Sequence, residues 1–168
     1  LMMIVGVWTL KPGIQYADLC QRIEDRLLKY PRFRQRVVED AAGATWVEDA
    51  TLDVKNHVTL EKLPKGKKLH PQTALQDRLG ALAMEPLDTR RPLWQFHLVE
   101  DYQGGSALMV RIHHCIADGI ALISVTMSLV DGGAEPPQRK RRPSPEGAED
   151  WIADSLIKPL THMAVKAL

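Results

Sequence analysis

Apolar and polar positions alternate along the first 130 residues with two periods, one typical of strands and one typical of helices. Apolar, β-favouring runs predict strands, and the first of these is predicted to be buried because it is apolar throughout. The predicted strands span 1–10, 45–47, 54–60, 93–99 and 107–114. Apolar residues spaced three to four positions apart predict two amphipathic helices, around Leu19 to Leu28 and from Pro71 to Met84. The pattern therefore predicts an α/β domain in which helices cover a mixed sheet.

The last two predicted strands are joined by a glycine-containing turn. Gly104-Gly105 is expected to reverse the chain, so that the strand at 107–114 returns antiparallel to the strand at 93–99. Side chains alternate between the two faces of a strand, which places Trp94 on an apolar face. We therefore expect these two strands to be neighbours and to bring their ends to one site.

Two adjacent histidines end the last predicted strand. Because neighbouring side chains of a strand point to opposite faces, His113 and His114 cannot have the same role. His114 lies where the strand opens into a loop, so we predict that it reaches a site and accepts a proton as a general base. His113 is then expected in local packing or in a hydrogen-bond network. Asp118 either returns to this loop or caps the next predicted helix, and Gly119 permits a close backbone approach or an unusual turn.

Other interpretations of this segment remain open. Two histidines and an aspartate are possible metal ligands, but the opposed directions of His113 and His114 disfavour a shared ion, and no metal is expected. Cys115 is disfavoured as a thiol nucleophile because adjacent strand residues point apart. A buried histidine is most often a core residue with its hydrogen bonds satisfied. His57, in an earlier predicted strand, is interpreted in that structural sense.

Composition places the chain among ordinary globular proteins. Its 168 residues are 45% hydrophobic and 26% charged, which suits one domain with a real core. The net charge of +1 gives no reason to expect nucleic-acid binding. Cys20 and Cys115 form no paired motif, which favours a reducing, cytoplasmic compartment. Neither a membrane-spanning run nor a signal peptide is predicted, and the first residue is expected to follow the native N-terminus.

The pattern changes after residue 130. Residues 131–150 hold four prolines and the basic cluster Arg139-Lys140-Arg141-Arg142, so a flexible linker is predicted. Apolar residues recur at helical spacing over 151–168, where Pro159 is expected to kink the helix. The predicted organisation is a domain at 1–130, the linker, and a helix whose apolar face must pack against another surface. The basic cluster is either simply solvated, as most charge runs are, or attracted to an anionic membrane surface.

Three motifs resemble known families of acyltransferases. His113-His114-Cys115-Ile116-Ala117-Asp118-Gly119 matches the His-His-x-x-x-Asp-Gly signature of the CoA-dependent acyltransferase superfamily, which includes chloramphenicol acetyltransferase and peptide-synthetase condensation domains. Arg91-Pro92-Leu93-Trp94 resembles the Pro-Leu-Trp segment of the bacterial wax ester synthase/diacylglycerol acyltransferase family. With the segment from Pro31 to Arg36, the order and spacing are most similar to this second family. The resemblance covers nearly the whole chain, but only the part of the family before its second domain.

This resemblance implies a chloramphenicol acetyltransferase-like fold that forms half of a two-domain enzyme. The implied reaction moves a fatty acyl group from acyl-CoA to a long-chain alcohol or diacylglycerol, and it forms wax ester or triacylglycerol. Acyl-CoA is then a substrate, and no cofactor is expected. One implied partner is the missing C-terminal domain, and the helix at 151–168 leads into it. The other is a membrane or lipid-inclusion surface, which the protein is expected to contact peripherally from the cytoplasm.

The resemblance also implies roles for the motif residues. It implies that His114 is the catalytic base. The motif positions that shape the site are His113, Asp118 and Gly119, and in this superfamily the aspartate resembles a structural partner of an arginine. The implied substrate-binding residues are Pro92, Leu93 and Trp94, beside the acyl-chain path.

Two other functions fit parts of the same sequence. A condensation-type enzyme acting on carrier-protein thioesters shares the histidine signature, but the Pro-Leu-Trp segment does not favour it. A non-catalytic half-domain that binds lipid or a protein partner would use the basic linker and the last helix, with the histidines residual.

Overall fold

The computed structural model describes residues 2–64, 66, 69–116 and 127–129. Its strands are β1 Met3–Leu10, β2 Gln35–Asp40, β3 Gly43–Glu48, β4 Val58–Leu60, β5 Trp94–Tyr102 and β6 Gly105–His113. Its helices are α1 Tyr16–Arg22, which continues as a π-helix over Ile23–Leu27, and α2 Pro71–Met84, with 3₁₀ turns at Pro31–Phe33 and Val54–Asn56. The predicted linker, the predicted helix at 151–168 and the motif residues Asp118 and Gly119 lie outside the described residues.

Four of the strands form one mixed sheet in the order β1-β6-β5-β4. β6 is antiparallel to both of its neighbours, and β4 runs parallel to β5. β2 and β3 form a separate antiparallel hairpin. This arrangement confirms the predicted α/β class with a mixed sheet, and it makes the histidine-bearing β6 an internal strand.

Helices cover both faces of the four-stranded sheet. Leu19 of α1 is buried in one apolar cluster with Val110 of β6, and Leu82 of α2 is buried in a second cluster with Met109 of β6. Full burial of one such side chain stabilises the fold by about 1.5–3 kcal/mol. Because adjacent β6 residues belong to opposite clusters, the alternation predicted from the sequence is confirmed. A strand that is buried on both faces also explains why this run is apolar almost throughout.

β1 is less buried than its apolar sequence predicts. Its eight residues all pair with β6, but within the described part of the chain no strand pairs with its other edge. Most of its residues are half-buried, and Val7 is 40% exposed. The prediction of a buried strand at 1–10 is therefore wrong in its degree of burial, because local hydropathy does not reveal which strand lies at a sheet edge.

The predicted strand at 54–60 begins later than expected. Val54–Asn56 forms a 3₁₀ turn, where the side chain of Asp53 accepts a hydrogen bond from the Lys55 backbone N–H at 2.9 Å. Only Val58–Leu60 pairs with β5. β2 is absent from the predicted strands because charged residues interrupt its apolar positions, and its pairing with β3 specifies it instead.

The turn between β5 and β6 uses backbone conformations that favour glycine. Tyr102 pairs with Gly105, which leaves Gln103 and Gly104 as the two turn residues. Their φ angles are +50° and +78°, and positive φ at both positions suits a two-residue hairpin. Gly105 lies so close to the Leu10 carbonyl of β1 that an added Cβ would clash. The predicted chain reversal is confirmed, and the neighbouring strand explains the second glycine.

We expect Gly105→Ala to destabilise the chain by about 1–3 kcal/mol, because the added methyl group meets the Leu10 carbonyl of a paired strand. Gly80→Ala is the matched control. Gly80 lies in α2, where an added Cβ has no neighbour within 4 Å, so this change is expected to stabilise by about 0.5–1 kcal/mol. Urea unfolding measures both effects. Equal free energies of unfolding for the two variants would contradict the close approach at Gly105.

Candidate active site

The two histidines lie at the end of β6, where the chain leaves the sheet. β6 ends at His113, so His114 is the first residue after the strand rather than its last residue. Backbone hydrogen bonds nevertheless hold both residues. The His113 N–H donates to the Leu93 carbonyl at 2.9 Å, and the His114 N–H donates to the Met2 carbonyl at 2.7 Å. Segments on both sides of β6 therefore position the start of the histidine loop.

The side chains of the two histidines differ in exposure. His114 is exposed, whereas His113 is half-buried. The backbone N–H of Cys115 donates to Nδ1 of His113 at 3.2 Å, so this nitrogen acts as an acceptor and carries no proton. His114 is thus open to a ligand, and His113 belongs to the local hydrogen-bond network. This placement agrees with the predicted division of roles, while the catalytic role of His114 stays a prediction.

The Pro-Leu-Trp segment lies beside the histidines, as the predicted hairpin requires. Trp94 is the register partner of Ile112, and the Leu93 carbonyl accepts from the His113 N–H. Pro92 and both residues that follow it are buried. The two motifs therefore share one end of the sheet, which confirms that β5 and β6 bring them together.

Trp94 is a fully buried core residue. Its indole Nε1–H donates to the Phe33 carbonyl at 2.9 Å, which satisfies the polar end of the ring. The rings of Phe33 and Phe96 contact it edge-on, with centroid distances of 6.1 and 5.4 Å. Trp94 thereby joins the 3₁₀ turn after the first helix to the sheet. Its implied position beside an acyl-chain path stays a prediction.

His57 supports the same tryptophan. It is 3% exposed, and its ring stacks on the Trp94 indole at a centroid distance of 4.2 Å. Nδ1 of His57 lies 2.9 Å from the Trp94 carbonyl, and because a carbonyl only accepts, Nδ1 carries the proton. Burial lowers the pKa of His57, so the imidazole is neutral at neutral pH. The structural interpretation of His57 is confirmed.

A buried arginine links β6 to α2 two residues before His113. Arg111 is 1% exposed, and its Nη1 donates to the side-chain oxygen of Gln95 on β5 at 2.8 Å. Its Nη2 donates to the Glu85 carbonyl at the end of α2. Burial lowers the pKa of this guanidinium, which nevertheless stays charged at neutral pH. This hydrogen bond between β6 and α2 was not predicted, because an arginine between apolar strand residues gives no sign of which distant residue accepts its hydrogen bonds.

The absence of a metal at the histidine loop stays an expectation, because Asp118 lies outside the described residues. Among the residues that the structure does describe, no group of three or more His, Cys, Asp or Glu side chains could hold a metal ion. Partial desolvation raises the pKa of the Cys115 thiol, so its protonated form predominates and a nucleophilic role is not favoured.

Over the part of the chain that the structure describes, no helix has the length and apolar character needed to cross a membrane.

Solved structures share this architecture. The starter condensation domain of rhizomide synthetase RzmA superposes with a TM-score of 0.64 at 16% identity, over 76% of this chain and 30% of that chain. The wax ester synthase/diacylglycerol acyltransferase from Marinobacter aquaeolei VT8 gives a TM-score of 0.56 at 22% identity, over 99% of this chain and 42% of that chain. At these identities the likeness establishes the fold alone, which is the one shared by condensation domains and wax ester synthases.

Family membership follows from sequence comparison. Residues 7–166 match the wax ester synthase/diacylglycerol acyltransferase catalytic domain, and the chain belongs to this family. A probable diacylglycerol O-acyltransferase of Mycobacterium tuberculosis is 30% identical over 148 residues, which cover 86% of this chain and 51% of that protein. Wax ester synthase/diacylglycerol acyltransferase 4 of Arabidopsis thaliana is 25% identical over 137 residues, which cover 79% of this chain and 26% of that protein. The predicted family is confirmed, and the chain spans about half the length of the mycobacterial relative.

Proposed function

We propose that this chain is the N-terminal part of an acyl-CoA-dependent O-acyltransferase. The proposed enzyme transfers a fatty acyl group from acyl-CoA to a long-chain alcohol or diacylglycerol, and it forms wax ester or triacylglycerol. The observation that carries this proposal is the exposed His114 at the end of an internal strand, beside the Pro-Leu-Trp segment, in a chain of this family. The relatives, a probable diacylglycerol O-acyltransferase and a wax ester synthase/diacylglycerol acyltransferase, support the same reaction.

In the proposed mechanism, His114 acts as a general base. Its neutral imidazole accepts the proton of the acceptor hydroxyl while the oxygen attacks the thioester carbonyl carbon. The new C–O bond forms, the C–S bond breaks, and the imidazolium returns the proton to the departing CoA sulfur. His113 acts as a positioning residue, because its Nδ1 accepts from the backbone of the loop that carries His114.

The remaining motif residues complete the proposed site. Asp118 is proposed to form a structural ion pair with an arginine, and Gly119 is proposed to allow a close backbone approach. Pro92, Leu93 and Trp94 are proposed to border the path of the acyl chain. Acyl-CoA as donor is supported by a solved variant of the starter condensation domain of rhizomide synthetase RzmA in complex with C8-CoA.

The proposed enzyme needs more than this chain. Because the chain covers 51% of the mycobacterial relative, we propose that a C-terminal domain supplies the rest of the donor and acceptor sites. We also propose a cytoplasmic location with peripheral contact to a membrane or lipid inclusion. The basic cluster Arg139-Lys140-Arg141-Arg142 supports this contact, since each cation near anionic lipid contributes about 1 kcal/mol.

Acyl transfer from labelled palmitoyl-CoA to hexadecanol and to diacylglycerol tests the proposal. The assay uses this chain alone and the chain together with the remainder of its parent protein. We expect product from the whole protein and little from the chain alone, because the proposed C-terminal domain supplies the rest of the donor and acceptor sites. A correctly folded whole protein that forms neither wax ester nor triacylglycerol would contradict the proposal and favour a non-catalytic, lipid-binding half-domain.

A condensation-type activity is the second candidate, because condensation domains share this fold, whereas membership of the wax ester synthase/diacylglycerol acyltransferase family favours acyl-CoA as the donor. The two enzyme functions differ in the donor, which is acyl-CoA in one and a carrier-protein thioester in the other. Competition between palmitoyl-CoA and a palmitoyl carrier protein for the same acceptor distinguishes them. Preferential transfer from the carrier protein would support the second candidate.

A further inference from the structure

A cluster of charged and polar side chains lies between α2 and the sheet, on the face that carries Met109. Register places two of its members together, because Arg111 pairs with Gln95 and Met109 pairs with His97. Side chains two residues apart on a strand share one face, so His97 and Arg111 are diagonal neighbours across the strand pair. The Cβ atoms of such neighbours lie within about 8 Å of each other. We call the following residues the α2 polar cluster: Glu61, Arg78, Glu85, Gln95, His97 and Arg111.

Hydrogen bonds join the members of the α2 polar cluster to one another. The Glu61 carboxylate accepts from Nη2 of Arg78 at 2.7 Å and lies 2.9 Å from Nδ1 of His97. Nη1 of Arg78 donates to the Glu85 carboxylate at 3.1 Å. Nη2 of Arg111 donates to the backbone carbonyl of the same glutamate. These contacts tie α2 and the residue that follows it to the sheet.

Two buried nitrogen atoms of the cluster are left over. Within the part of the chain that the structure describes, Nε2 of His97 and Nε of Arg111 have no hydrogen-bond partner. Both residues are almost completely buried, at 5% and 1% exposure. Buried polar atoms of folded proteins are nearly always hydrogen-bonded, either to protein or to ordered water. The two nitrogen atoms therefore indicate a bound partner.

The two nitrogen atoms have complementary roles in hydrogen bonding. Because a carboxylate only accepts, the contact with Glu61 requires that Nδ1 of His97 carries a proton. Burial lowers the pKa of His97, so the ring is neutral and its Nε2 offers a lone pair. Nε of Arg111 offers an N–H. A partner that serves both atoms must accept one hydrogen bond and donate another.

The charges of the cluster favour a neutral partner. Arg78 and Arg111 are balanced by the carboxylates of Glu61 and Glu85, and the hydrogen bond from Arg78 lowers the pKa of Glu61. A simple anion such as chloride accepts from Arg111 but has no proton for His97, and the guanidinium repels a cation. Water has both a lone pair and protons to donate, and buried waters commonly link polar groups in this way.

We propose that the α2 polar cluster binds one internal water, which accepts from Nε of Arg111 and donates to Nε2 of His97. The water completes a continuous chain of hydrogen bonds from Glu61, which follows β4, to Arg111 on β6. It thereby joins the end of α2 to the strand that ends at His113, two residues further on. The water is a structural ligand rather than a reactant, so this site does not depend on the proposed acyl transfer.

Nuclear magnetic resonance of the whole protein, with ¹⁵N-labelled arginine and histidine, tests this site. We expect Nε–H of Arg111 to show cross-relaxation with a long-lived water. Arg90 provides a control in the same spectrum, because its Nε–H donates to Asp88 at 3.0 Å and its side chain is 86% exposed. Its contact is expected to be with rapidly exchanging solvent only. An Arg111 Nε–H without a long-lived water contact would overturn the proposal.

Two variants test whether one water contacts both residues. Arg111→Met keeps a long side chain but removes the donor, and it is expected to shift the Nε2 resonance of His97 downfield. His97→Phe keeps a planar ring but removes the lone pair, and it is expected to abolish the long-lived water contact of Arg111. Thermal unfolding shows whether each variant is folded, and the wild-type spectrum decides if neither folds. A signal that stays unchanged in either folded variant would contradict a shared water.

Gln95→Leu is the matched control for these variants. It removes a hydrogen-bond partner of Arg111 on the same face, at Nη1, but it leaves both unpaired nitrogen atoms in place. The variant is expected to keep the water contact of Arg111 and the hydrogen-bonded shift of His97. Loss of both signals in folded Gln95→Leu would show that they report general packing, which would overturn the assignment.

A high-resolution crystal structure of the whole protein gives an independent readout. We expect an ordered water within about 3 Å of Nε2 of His97 and of Nε of Arg111. A direct hydrogen bond between the two side chains, or a separate protein partner for each nitrogen atom, would overturn the proposal.

Discussion

Replacing His114 with alanine is expected to lower the kcat of the whole protein about 10²- to 10⁴-fold, because general-base assistance is typically of this size. The reason lies in the proposed mechanism, where the hydroxyl oxygen attacks poorly unless its proton is removed. His114 is exposed and lies just beyond β6, so the substitution is expected to leave the fold intact. The measurement is single-turnover formation of wax ester from palmitoyl-CoA and hexadecanol, with circular dichroism and thermal unfolding as checks of folding.

Cys115→Ser serves as the matched control for this prediction. Cys115 is the next residue of the same loop and is also exposed, and its thiol pKa is raised by desolvation. A protonated thiol does not act as the nucleophile, so this variant is expected to turn over at close to the wild-type rate. Equal turnover by wild type and His114→Ala would remove His114 from the mechanism. A large loss in Cys115→Ser would instead implicate the thiol.

Replacing Trp94 with alanine is expected to destabilise the chain by about 3–5 kcal/mol, the usual cost of deleting a buried aromatic side chain. Trp94 is 0% exposed, and its removal leaves a cavity among His57, Phe33 and Phe96. The Phe33 carbonyl also loses the indole N–H that donates to it. Urea unfolding of the chain, followed by circular dichroism, measures the loss.

Two further variants make the Trp94 prediction specific. Trp94→Phe keeps an aromatic ring but removes the N–H donor. It is expected to lower the free energy of unfolding by about 1–3 kcal/mol, because the Phe33 carbonyl loses its hydrogen bond. This milder variant can be measured even if Trp94→Ala does not fold. Trp46→Ala is the control, because Trp46 is half-buried on β3 with Arg32 stacked over its ring at 4.3 Å. It is expected to cost less than the Trp94 change. Equal costs at the two tryptophans would contradict a central role of Trp94 in the core.

The predictions that the structure confirms depend on local signals. α2 spans Pro71–Met84 as predicted, because apolar spacing reports the buried face of a helix and Glu85-Pro86 ends it. The β5–β6 hairpin is also confirmed, because its signal, a glycine-containing turn between two β-favouring runs, lies within a short stretch of sequence. This hairpin brings the Pro-Leu-Trp segment to the histidines, so the core of the candidate site was predictable from neighbouring residues alone.

Features that depend on distant segments were not predictable in this way. The half-burial of β1 depends on its place at a sheet edge among the described strands, and β2 depends on its pairing with β3. The buried Arg111 looks like an exposed residue until the end of α2 is placed beside it. In each case the deciding contact joins residues that are far apart in sequence, and the hydropathy pattern does not predict such contacts.

The sequence by itself determined the family, the α/β class and the pairing of two motifs, because periodicity, turn residues and motif spacing are properties of short segments. Only the tertiary structure decided which face of each strand is covered and which polar groups are left without a partner. His57 shows the difference most clearly. Its identity as a buried histidine was readable from the chain, but the stacking of its neutral ring on Trp94 and the hydrogen bond of its Nδ1 to the Trp94 carbonyl depend on two distant segments that meet in the core.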